Sequence, residues 1–74
     1  MPKLPSISPQ ELAKALEKDG FALIRIRGSH HTYYNDEKEL VTVIPFHGYD
    51  VPKRLLCKIL KEADISRDEL QDLL

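Results

Sequence analysis

The chain has no tryptophan, one cysteine, one methionine and only three glycines in 74 residues. A lone cysteine makes no internal disulfide and falls short of a zinc framework built from paired ligands. An excess of charge is missing too. Eleven Lys+Arg stand against twelve Asp+Glu, a formal net charge of −1 with the three histidines neutral. The overall basic character common in nucleic-acid binders is therefore absent from the total. No hydrophobic run approaches the ~20 residues that cross a bilayer, and the N-terminus has no apolar signal-peptide core. Size is also lacking: a domain this short buries only about 60% of the surface its unfolded chain exposes. Any site is therefore expected on the surface or in a shallow groove. What is present, 42% hydrophobic and 31% charged residues, suits one small folded cytoplasmic domain over residues 1–74 rather than a disordered tail.

The near-zero total hides a segregation. Residues 21–35 hold only Arg25 and Arg27 as charges, and residues 51–61 hold Lys53, Arg54, Lys58 and Lys61 with no acid. Residues 62–74 then set Glu62, Asp64, Asp68, Glu69 and Asp72 against Arg67 alone. A basic middle and an acidic tail cancel. The pattern fits an anionic partner for the middle of the chain, and equally fits helices with ordinary polar faces.

Local signals order the elements. Residues 1–7 read as a loose leader interrupted by Pro2 and Pro5. Ser8-Pro9-Gln10-Glu11 opens a helix over about 9–19, with a capping box and proline in the first turn, and Gly20 stops it. Residues 21–27 read as a strand with Ile24 and Ile26 on one side and Arg25 and Arg27 on the other. Gly28-Ser29 breaks it, His31 to Tyr34 resumes an extended pattern, and Asn35-Asp36-Glu37-Lys38 forms a polar turn. Leu40-Val41-Thr42-Val43-Ile44, ended by Pro45, is the clearest strand. A second helix starts near Pro52 with Asp50 as its expected cap. It buries Leu55, Leu56, Ile59, Leu60 and Ala63 and turns Lys53, Arg54, Cys57, Lys58 and Lys61 outward. Ser66-Arg67-Asp68-Glu69 caps a short third helix. The expected fold is α+β, in the order α-β-β-β-α(-α), with a three-stranded antiparallel sheet and the helices packed on one face.

Two constellations carry chemistry. His30 and His31 follow Gly28-Ser29 at the tight first connection, and His47 follows the third strand beside Gly48. Imidazole titrates near neutrality and serves as general base and acid in turn. Adjacent strand positions face opposite ways, so one surface site takes His30 or His31 but not both. The alternative for each is a solvated turn residue. Metal binding would need His30 or His31, His47 and Cys57 to converge, and no ligand spacing supports it. Cys57 lacks an evident partner base and reads as a bystander. The second constellation is Lys53, Arg54, Lys58 and Lys61 on one helix face, of which Lys53, Arg54 and Lys58, joined by Arg25 and Arg27 from the sheet, are the expected phosphate-binding set. Of Tyr33 and Tyr34, one can stack on a base while the other packs inside; the pattern leaves open which.

Together the element order and Arg27-Gly28-Ser29-His30-His31 resemble the HicA (YcfA-like) toxins of toxin–antitoxin pairs. The likeness extends to Val41-Thr42-Val43-Ile44-Pro45 with His47-Gly48, and to Ile59-Leu60-Lys61-Glu62-Ala63 followed by Ile65-Ser66. That resemblance implies a fold like the double-stranded-RNA-binding domain and a metal-independent endoribonuclease that cleaves mRNA, with no cofactor. It places the catalytic histidine at His30, with His31 as the fallback, and Gly28 and Ser29 in the site. It also implies a HicB-like antitoxin as partner. The runner-up is a non-catalytic RNA-binding module. Where the family commonly has glycine at the start and end of the second helix, this chain has Arg54 and Asp64, so a different helix exit is expected at Asp64.

Overall fold

The structure, a computed structural model, describes residues 3–74. In chain order it contains α1 (Pro9–Lys18), β1 (Ala22–Arg27), β2 (His30–Asn35), β3 (Leu40–Pro45), α2 (Lys53–Ala63) and α3 (Arg67–Leu73). This is the α-β-β-β-α-α order the sequence predicts. The Ser8 hydroxyl accepts the Glu11 N–H at 3.1 Å while the Glu11 carboxylate accepts the Ser8 N–H at 3.0 Å. Because Pro9 has no N–H, this start leaves three unpaired donors, and two of them are thereby satisfied. Ser66 and Glu69 repeat the device at α3. Gly20 ends α1 at φ 107°, a backbone region that side chains avoid.

The strands form one antiparallel sheet in the order β1-β2-β3. Tyr33 pairs with Thr42 and His31 with Ile44, so the residues of β2 and β3 that share the helix face are fixed by register. On that face Tyr33, Thr42 and Ile44 are buried with Leu12 and Leu16 of α1 and Leu56, Ile59 and Leu60 of α2. The Thr42 hydroxyl also donates to the Glu62 carboxylate at 2.9 Å, pinning α2 to β3. By contrast all six residues of β1 are exposed. A bulge between Leu23 and Arg25 leaves Ile24 without a partner, which breaks the strict alternation expected there. Ile26 lies opposite His31 on the helix face, and Arg25 and Arg27 lie on the other face as expected.

Three local expectations need correction. Asp50 does not cap α2: the cap position is Pro52, with no side-chain hydrogen bond, which leaves Asp50 two residues too early. Residues 3–7 form no helix or strand, yet they are docked rather than loose; Met1 and Pro2 lie outside the described residues. Ile7 is buried in the core, its carbonyl accepts the Val51 N–H at 2.8 Å, and the Leu4 carbonyl accepts the Lys53 ammonium. The different helix exit expected at Asp64 is not found. Asp64 sits in the left-handed region at φ 54°, with the Ile65 N–H donating to the Leu60 carbonyl, the glycine geometry adopted by an aspartate.

Candidate active site

His30 is the first residue of β2, exposed, with Arg27 and Pro45 as its cross-strand neighbours. Opposed residues in an antiparallel ladder share a face. The face carrying His30 therefore also carries Arg25, Arg27, Thr32, Tyr34, Val41 and Val43, and it is the face that no helix covers. His31 turns the other way. It lies opposite the buried Ile44, is half-buried, and stacks on Phe46 with ring centroids 3.8 Å apart and planes 15° from parallel. Adjacent histidines thus occupy opposite sides of the sheet, and only His30 shares a surface with the two arginines.

The turn before His30 depends on glycine. Gly28 adopts φ 60°, and a side chain there would meet nothing within 4 Å, so the turn stands clear of the molecule. Strain would follow from any other residue, whatever the space. The Ser29 carbonyl accepts the Phe46 N–H at 2.7 Å, which ties the first turn to the loop after β3. The tyrosine pair is resolved as well: Tyr33 is buried, and Tyr34 is half-buried on the open face. Burial, with the negative charge of Glu17 adding to it, pushes the Tyr33 hydroxyl above its ordinary pKa.

Lys53, Arg54 and Lys58 are exposed on α2, and α2 packs against the helix side of the sheet. The structure therefore gathers Arg25 and Arg27 around His30 and leaves the α2 cations on the other layer. Lys53 is partly engaged already, through its bond to Leu4. Cys57 is half-buried with the Arg67 guanidinium 3.9 Å from its sulfur. Among the described residues, no three His, Cys, Asp or Glu side chains gather as a metal site. His47 is exposed in the loop and stacks on Tyr49, centroids 5.2 Å apart and 19° from parallel. Tyr49 carries no motif, and sequence reasoning singled out its neighbours His47, Gly48 and Asp50 but not Tyr49 itself.

A family model for the HicA toxin of bacterial toxin–antitoxin systems matches residues 9–65. The chain belongs to the HicA toxin family. The match begins at the first residue of α1 and ends just past α2, so it includes the whole sheet and every candidate site residue above. No curated protein matches the chain. Membership assigns it a toxin role and implies an antitoxin partner. Among the described residues, no helix is long and apolar enough to cross a membrane.

Proposed function

We propose that this HicA-family chain is a cytoplasmic endoribonuclease that cleaves mRNA with His30 as its acid/base group, and that a HicB-like antitoxin neutralises it. The observation that supports this most is the isolation of His30 on the open sheet face with Arg25 and Arg27, while His31 is committed to Phe46. His30 takes the proton of an RNA 2′-hydroxyl, and the 2′-oxygen attacks the adjacent phosphorus. The bond to the 5′-oxygen breaks, that oxygen takes a proton from solvent, and His30 returns its own proton to solvent. One strand then ends in a 2′,3′-cyclic phosphate and the other in a 5′-hydroxyl. Arg27, directly across the ladder from His30, and Arg25 offset the phosphate charge that grows as the 2′-oxygen adds. The substrate supplies its own nucleophile, so an exposed site suffices, and DNA is not cut.

Gly28 lets the turn approach the backbone of the RNA, and Ser29 offers its hydroxyl and amide. Lys53, Arg54 and Lys58 extend the phosphate-binding surface around the edge of the molecule. The test is cleavage of a single-stranded RNA by purified protein and by His30→Ala. Loss of about 100-fold or more in rate is expected for the variant, in line with removal of a general acid–base group. Undiminished cleavage by a folded H30A protein would remove His30 from the catalytic role, and RNA binding by a parent protein that never cleaves would leave binding without catalysis as the better reading.

A further inference from the structure

Tyr49 is the most exposed of the large apolar and aromatic residues described, at 61%, yet its ring is not free. Its stack on His47 holds it flat, with that face occupied and the remaining surface open. Beside the pair lies a depression of about 170 Å³ whose walls include Gln10, Gly48, Tyr49 and Asp50. A void of ~150 Å³ takes a benzene ring, so this one accommodates a single flat aromatic ring and little more. The polar groups at its rim suit the edge of a base. The Gln10 amide both donates and accepts, and the Asp50 carboxylate accepts from an exocyclic amine. Asp50 also repels phosphate, which separates this place from Arg25 and Arg27. Ser8 contributes nothing further, because its hydroxyl already caps α1.

The position is tied to His30. The loop that carries Tyr49 leaves the sheet at Pro45, the cross-strand partner of His30, and is bonded to Ser29 through Phe46. Paired strand residues lie ~5 Å apart and four residues of chain reach at most ~14 Å, so Tyr49 stands within ~20 Å of His30. We infer that the 46–50 loop and the start of α1 form a nucleobase subsite, in which one base of a single-stranded RNA stacks on Tyr49 while phosphates a few nucleotides along the strand meet the arginines of the open face. This rests on the ribonuclease reading above and adds to it the place where a base is held.

The absence of tryptophan makes the test direct, since Tyr49→Trp introduces the only indole in the protein. The probe is a 2′-O-methyl oligocytidylate, whose one-ring base carries an exocyclic amine and which lacks the free 2′-hydroxyl and so binds without being cut. Saturating quenching of the Y49W emission is expected, with the affinity of the parent retained. Tyr49→Ala should weaken binding roughly 10-fold or more, the size of one lost base stack, while Tyr49→Phe stays within about 2-fold of the parent. Unchanged affinity in Y49A, or unchanged Y49W emission at saturation, overturns the subsite. The two proposals fail separately. Cleavage of RNA with no effect of Y49A defeats the subsite alone. Tyr49-dependent binding by a parent protein that never cuts RNA defeats the catalytic role of His30 alone.

Discussion

Replacing His31 with alanine removes a ring stacked at 3.8 Å on Phe46 inside the helix side of the sheet. A cost of about 1 kcal/mol is expected, read as a lower urea midpoint, with RNA cleavage preserved. His30→Ala should do the reverse, losing cleavage and keeping the midpoint, because the side chain is exposed. Tyr33 adds a pH dependence at the same scale. Its folded pKa lies above the unfolded value because burial disfavours the phenolate. Its contribution is therefore fully present below about pH 10, the ordinary tyrosine value, and is lost as pH rises through the folded value. Tyr33→Phe should flatten the alkaline limb of stability against pH; an unaltered limb would show that another group governs it.

Elements are held by a few polar devices as much as by the core. Lys38, in the turn after β2, donates to the Asp19 carboxylate at 2.7 Å and to the Ala63 and Asp64 carbonyls at 3.0 and 3.1 Å. It joins the ends of α1 and α2, where unpaired carbonyls favour a cation. Lys38→Met is expected to cost about 2 kcal/mol, seen in thermal unfolding. Asp64→Gly should stabilise by about 1 kcal/mol, since aspartate pays a left-handed penalty that glycine does not. The capping boxes respond to acid. Hydrogen bonds from Ser8 and Ser66 hold Glu11 and Glu69 below the usual carboxylate range. Their contribution is present above the unfolded glutamate value and is lost as pH falls through the lower folded one. Ser8→Ala should cost about 1 kcal/mol near neutrality and make the acid limb shallower.

At the scale of the whole molecule, a body only 17 Å through its thin axis has no interior for a substrate, so function is written on its faces. Much of this was legible in the residues. Helix starts followed from Ser8, Glu11, Ser66 and Glu69, strands from β-branched runs, and the opposite facing of His30 and His31 from simple alternation. Other features depend on tertiary partners that no local pattern encodes. The docking of residues 3–7 needs Val51 and Lys53, the unpaired Ile24 needs the register with β2, and the role of Lys38 needs two helix ends to meet. For the same reason a sequence places five cations in one set, while the sheet sorts Arg25 and Arg27 from Lys53, Arg54 and Lys58. Removing Arg25 and Arg27 together should lower the slope of log affinity for RNA against log salt by about 1 to 2, as each lost phosphate contact releases fewer counterions. The most direct measurement is the chemistry of the cut ends. Mass spectrometry of RNA treated with the protein should find 2′,3′-cyclic phosphate and 5′-hydroxyl termini, and at matched times about 100-fold fewer with His30→Ala. Products ending in a 3′-hydroxyl and a 5′-phosphate, or cyclic termini made equally well by H30A, would contradict it.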